Sequence, residues 1–146
     1  EEVRKEVFVD DQEFGAATEN RFLRLMSTKV GFTPPWYLHA EKAPYEWDHR
    51  GVDFFVYISH KEGGEPVKIP VQIKSSKERA RAFRRKHTAD QVAHIVIFVV
   101  TRRTSDFDVL NMIYARLRRI HASGLRYGRY YAREVQIAKS HWKSRK

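Results

Sequence analysis

Apolar residues recur along this chain at two periods, and the switches between them mark out its elements. Phe22, Leu23, Met26 and Val30 lie three, four, seven and eleven residues beyond Glu19, which is one face of a helix. The pattern predicts a helix from about Gln12 to Lys29. Asp10 and Asp11 are its N-cap candidates, Glu13 sits in its first turn and Gly31 is its stop. Val3 to Val9 reads as a short edge strand or an extended lead-in. Glu19 falls on the buried stripe of the helix. A lone carboxylate there is costly unless a cation or donor meets it, and Arg21 or Arg24 could serve.

Beyond Thr33-Pro34-Pro35 the period shortens. Trp36 to Ala40 predicts a first strand, Glu41 to Arg50 a polar loop, and Val52 to Ser59 a second strand entered through Gly51. Lys61 to Pro66 is a turn, so the chain folds back as a hairpin into a third strand, Val67 to Ser75. Pro70 inside that strand predicts an edge or a bulge. Ser76 to about Thr88 is a basic helix anchored by Ala80 and Phe83. Ala93 to Thr101 is a β-branched run of the kind found in a central strand covered on both faces. Asp106 is the expected cap of a helix over Phe107 to Ala122, with Val109, Leu110, Ile113, Leu117 and Ile120 as its stripe and Ser123-Gly124 as its end. The tail from Leu125 fits a helix through Tyr131, Val135, Ala138 and Trp142, or a strand over Arg133 to Ile137. The order predicts one α/β domain over residues 1–146, with a mixed sheet, a core of about 12–122 and a basic tail of 125–146.

Two of the strands carry polar residues where a strand interior should have none. Asp53 opens the second, and Gln72 and Lys74 interrupt the third. Residues two apart on a strand share a face, so Val71 and Ile73 point into a core while Gln72 and Lys74 point together to the other side. An acid, an amide and an amine gathered at one end of an apolar sheet suggest a reaction site.

Charge sharpens this picture. Lys plus Arg number 28 against 18 Asp plus Glu, a net charge of +10, and the excess is clustered. Residues 1–20 hold seven acids and two bases, whereas residues 74–86 and 126–146 each hold seven bases and one acid. A balance of this kind favours a polyanionic partner, most simply nucleic acid. The absence of cysteine excludes a disulfide scaffold and a thiolate metal site, and fits the cytoplasm. No stretch is long enough to cross a bilayer and no signal peptide is visible, so no membrane partner is expected. Position 1 is Glu and not Met, which leads one to expect a segment upstream. The seven histidines show no helical metal-ligand spacing, so zinc is not expected.

A helical Glu19, then Gly51-Val52-Asp53 entering a strand, then the strand residues Gln72-Ile73-Lys74 resemble the PD-(D/E)XK nuclease superfamily. The inferred element order over roughly residues 12–101 is similar to that family's core. Gly51-Val52 stands where the family commonly has a proline before the aspartate. Gln72 stands in the place of the second carboxylate, as it does in certain homing endonucleases and transposase endonuclease subunits. The resemblance implies a restriction-endonuclease-like core, αβββαβ followed by C-terminal helices. It also implies a divalent-metal-dependent endonuclease that hydrolyses DNA phosphodiester bonds.

Phosphodiester hydrolysis requires stabilisation of charge on phosphate oxygens and a hydroxide near neutral pH, and a hard cation supplies both. Mg²⁺, or Mn²⁺ in its place, would be held by Asp53, the Gln72 side-chain oxygen, the Ile73 carbonyl and Glu19, directly or through water. Lys74 would orient the attacking water or stabilise the phosphate in the transition state. Glu46 and Asp48 read as solvated charges in preference to extra acids near the metal, and His39 as a structural residue. Ser76 is expected to cap the basic helix, whose Lys77, Arg79, Arg81, Arg84, Arg85 and Lys86 would grip phosphates beside the cut. Arg126 and Arg129 would extend that contact. Two other readings stay open: a catalytically silent nuclease-like domain that binds nucleic acid, and a domain that assembles into a DNA-processing complex. Cutting both strands with one small site would favour a homodimer.

Overall fold

A computed structural model describes residues 15–48, 50–86 and 95–124. The expectations placed on Val3–Val9, Asp10, Asp11, Glu13, His49, Ala93, the tail helix, Arg126 and Arg129 lie outside the described residues. The elements run α1 (15–26), β1 (Tyr37–Lys42), α2 (Tyr45–Asp48), β2 (Phe54–Ile58), β3 (Val67–Lys74), α3 (Lys77–Lys86), β4 (Val96–Val99) and α4 (Asp106–Ser123). The sheet order is β1-β2-β3-β4. The first two pairings are antiparallel and β3–β4 is parallel, with α3 as the crossover. The described residues thus form an α/β domain whose four-stranded mixed sheet is flanked by helices.

Strand alternation divides the apolar residues between two layers. Phe54, Val56 and Ile58 of β2, Ile69, Val71 and Ile73 of β3, and Val96 and Phe98 of β4 join one large core with Phe22, Leu25 and Met26 of α1. The α4 stripe of Val109, Leu110, Ile113, Leu117 and Ile120 closes it, together with Tyr114. Phe22 has no exposed surface and lies 4.8 Å from the Phe54 ring. Burying a side chain of that size contributes about 1.5–3 kcal/mol. The opposite face carries a smaller core of Ala43, Val52, Phe55 and Ile95. On that side Phe83 of α3 packs against Gly51, as the anchoring role expected of Ala80 and Phe83 requires.

Four local expectations need correction. Glu41–Arg50 is not all loop: β1 runs on to Lys42, and α2 forms where Trp47 N–H and Asp48 N–H both donate to the Pro44 carbonyl. Among the described residues β4 is an edge strand of only four residues, and β2 and β3 are the interior strands. Pro70 therefore lies in an interior strand, opposite Phe55. Its missing N–H costs no ladder bond. The Val71 carbonyl faces β2, where it accepts from Asp53, so Pro70 faces the other way, and β4 begins pairing only at Val71. Finally, Ser105 and not Asp106 caps α4, its hydroxyl accepting from Asp108 N–H at 3.1 Å. Asp106 is engaged by Arg21 and Arg24. Gly124 ends α4 in the left-handed conformation with φ 69°, as expected.

Candidate functional site

The local chain dictates where Asp53 sits. Trp47 packs edge-on against Phe55 with ring centroids 5.8 Å apart, which pins α2 to the second face. The chain then turns through Gly51, whose φ of 93° suits glycine and whose absent side chain leaves room for Phe83; a Cβ there would lie 2.7 Å from the Phe83 ring. Asp53 follows at the start of β2. Its N–H donates to Val71 O at 2.9 Å although Phe54 is the residue opposite Val71, so the regular ladder ends at this point.

β3 overhangs that end by Gln72, Ile73 and Lys74. The Asp53 carboxylate takes over as acceptor: Ile73 N–H donates to its Oδ2 at 2.9 Å. The N–H and C=O of one strand residue face the same neighbour, so the Ile73 carbonyl faces this gap as well.

Glu19 reaches the gap from α1 and is half-buried there. Its carboxylate lies within 4.8 Å of that of Asp53. Arg21 and Arg24, the simplest partners for a Glu on this helix, are bound instead to Asp106, at 2.8 and 3.4 Å, and Arg21 also donates to the Thr101 and Thr104 carbonyls. The third carboxylate is Asp48. Carboxylate oxygens of Glu19, Asp48 and Asp53 all lie within 4.8 Å of one another. Asp48 is exposed, as a solvated charge would be, yet α2 holds it beside Glu19 and Asp53, the less favoured of the two readings. The signal available in the sequence was Pro44 at a helix start with Trp47 as an apolar anchor one residue before the acid.

Asp53 is only 6 % exposed. Burial is the main reason its carboxyl is pushed from the ordinary 3.8 up to about 8. The Ile73 N–H pulls it down, Glu19 raises it by charge and by hydrogen bonding, and the Lys74 ammonium lowers it. Lys74 is not bonded to Asp53. Its Nζ lies 5.1 Å from the centre of the Phe83 ring. Gln72 is 5 % exposed, and its Oε1 is the one buried side-chain polar atom among the described residues with no hydrogen-bond partner. Such an atom costs about 1–3 kcal/mol in an isolated fold.

Around this gap the other expected residues take plain roles or flank it. Ser76 Oγ accepts from Arg79 N–H at 3.2 Å and caps α3. His39 stacks on Tyr57 at 4.5 Å. Lys77, Arg81, Arg84, Arg85 and Lys86 are exposed along α3, Arg79 is half-buried, and the helix starts three residues after Lys74. Compared with known proteins, the chain matches no family model, and no curated protein or solved structure is significantly similar to it.

Proposed function

We propose that this domain is a divalent-metal-dependent endonuclease acting on DNA, built on a restriction-endonuclease-like core of the PD-(D/E)XK type. The observation that carries the reading is the convergence of Glu19, Asp53 and the Gln72–Lys74 overhang at one sheet end, from three separate elements. The element order, helix, three-stranded meander, helix, parallel strand, supports the same core.

The residues present fit a hard cation. Every donor at the gap is an oxygen, three are carboxylates, and the buried Gln72 Oε1 lacks a partner. Glu19, Asp53 and Asp48 would hold Mg²⁺ or Mn²⁺, with Gln72 Oε1 and the Ile73 carbonyl as neutral donors. When bound, the ion supplies Lewis acidity toward a phosphate oxygen and lowers the pKa of water.

The chain's own residues do the rest. Ile73 N–H fixes the Asp53 carboxylate, so its second oxygen is presented and not free to rotate. The raised affinity of Asp53 for a proton means that a cation and a proton compete for the same site. Lys74, held over Phe83, would steady charge on the scissile phosphate or orient the attacking water. The arginines of α3 begin beside Lys74 and would bind flanking phosphates.

Gln72 favours a second reading, a domain that holds nucleic acid without cutting it. That reading predicts salt-sensitive DNA binding and no cleavage with either metal. Nicking of supercoiled DNA with Mg²⁺ or Mn²⁺ separates the two. The wild type is expected to nick, and Asp53→Ala to be slower by at least about 10²-fold, the scale of a lost electrostatic stabiliser. Cleavage by Asp53→Ala at the wild-type rate would sink the assignment.

A further inference from the structure

The arginines of α4 serve neither the core nor the site at Asp53. Residues 109–124 contain Arg116, Arg118 and Arg119 and no acid. All three are exposed, on the side of α4 away from the Val109–Ile120 stripe, and Ala115 and Ala122 between them are exposed as well. None makes an ion pair among the described residues. The contrast is with α1, where Arg21 and Arg24 are both used by Asp106. The acids of α4, Asp106 and Asp108, are confined to its first turn.

The position of this surface matters as much as its charge. β3 and β4 end level with one another, Val99 opposite Lys74, with Val100 N–H donating to the Lys74 carbonyl at 2.8 Å. Both α3 and α4 begin at that edge. From there α4 runs back along the large-core face, while α3 packs by Phe83 on the Gly51 side. The C-terminal end of α4 reaches the opposite edge, where His60 bonds the Gly124 carbonyl at 2.9 Å and Lys61 the Ala122 carbonyl at 3.3 Å. Arg119 lies about 20 Å along α4 from Asp106, at about 1.5 Å per residue. One straight duplex lying on α3 at the site edge does not also reach the outer side of α4.

We propose that the outer face of α4 is a second nucleic-acid-binding surface, and that the domain holds two duplex segments at once. One lies along α3 at the reaction edge, the other on Arg116, Arg118 and Arg119. The inference rests on the nucleic-acid reading of the preceding section and goes beyond it to the form of the substrate: DNA that presents two arms, by branching or by sharp bending. Guanidinium groups pair well with phosphate oxygens, and contacts of that kind hold a duplex without reading its sequence.

The test is the stoichiometry of a short, unbranched duplex bound to the full chain in EDTA, titrated at several salt concentrations. Wild type is expected to take up two duplexes per chain. Arg116→Ala, Arg118→Ala and Arg119→Ala combined should take up one, and lose about 2–3 from the log–log salt slope of total binding, close to 0.9 per phosphate contact. Arg81→Ala, Arg84→Ala and Arg85→Ala combined should lose the other duplex. All six side chains are exposed, and circular dichroism checks that the variants fold. A wild type that binds one duplex, or an α4 variant that keeps two, overturns the second surface while leaving the first. A wild type that binds no DNA overturns both.

Discussion

The two ends of the β2–β3 pair each bury a polar side chain and treat it in opposite ways. At the hairpin end His60 is 7 % exposed, and both ring nitrogens are used: Nε2 meets the Gly124 carbonyl at 2.9 Å and Nδ1 accepts from Glu62 N–H at 3.1 Å. That assigns the proton to Nε2 and ties the hairpin to the end of α4. At the other end Asp53, with Glu19 against it, is pushed toward its protonated form, and Gln72 Oε1 has no partner. The same two strands thus end in a finished lock and in an unfinished cage. Buried polar groups in a stable fold are satisfied as a rule. Under the function proposed above, the unsatisfied Gln72 oxygen and the grouped carboxylates of Glu19, Asp48 and Asp53 are the features a bound cation would account for.

The largest effect expected at the unfinished end is on chemistry. Lys74→Ala should lower cleavage by about 10²–10⁴-fold, the usual range for a group that moves or stabilises a proton or phosphate charge. Its stability should drop by only about 0.5–1 kcal/mol, since the lysine contributes no bond beyond its position over Phe83. A stability loss several times larger, with cleavage intact, would make Lys74 a structural residue like His60.

Next in size is the cost of ionising Asp53 in the metal-free protein. Its carboxyl is raised from 3.8 to about 8. Between those values the unfolded chain has lost its proton while the folded chain keeps it, so the wild type loses stability as pH rises through the window and levels off above about 8. Asp53→Asn removes the titration and keeps an acceptor for Ile73 N–H. Denaturant unfolding in EDTA should therefore show the variant gaining on the wild type from pH 5 to pH 8, by on the order of a few kcal/mol. A constant difference across that range would mean that Asp53 is already ionised and not crowded by Glu19. Mg²⁺ should raise the melting temperature of the wild type at pH 8 and leave Asp53→Asn unmoved.

What the sequence revealed of this site, and what it hid, follows from the range of the forces involved. The stripes of α1 and α4, the hairpin and the anchors Ala80 and Phe83 are local periodicities, and they were legible. So was the placing of Glu19 on a buried face and of Gln72 with Lys74 on one side of β3. The position of β4 at an edge was not. A β-branched run reads the same in an edge or an interior strand, and pairing is decided by partners far away in sequence. The choice between a solvated Asp48 and one at the site was hidden for a related reason: four residues after Pro44 are too few to show a helical period, and it is Trp47 packing on Phe55 that fixes them. By residue type Asp106 suits a cap as well as Ser105 does. Ser105 has that role because it is the extended residue just before the helix, while Asp106 is already inside the first turn and pairs with Arg21 and Arg24.

The finished end supplies the next comparison. His60→Ala should cost about 1–3 kcal/mol, the range for leaving buried partners unpaired, here the Gly124 carbonyl and the Glu62 N–H. Cleavage per folded molecule should be unchanged, because the histidine stands at the far end of the strands from Lys74.

The smallest expected effect is the most discriminating. Gln72→Leu keeps about the same volume and removes an amide oxygen that has nothing to bond. Replacing an unsatisfied buried polar group by an apolar one of similar shape is nearly neutral or stabilising, so metal-free stability should rise by about 1 kcal/mol or stay level. The metal concentration needed for half-maximal cleavage should rise, since a donor has gone. Gln72→Glu should do the reverse: it lowers metal-free stability by burying a charge at a position only 5 % exposed, and lowers the metal requirement because ligand charge helps set affinity. Stability and metal dependence thus move in opposite directions at Gln72, whereas at His60 only stability moves. If Gln72→Leu were as destabilising as His60→Ala, both ends of the strands would be locks, and the case for a cation at Asp53 would rest on the carboxylates alone.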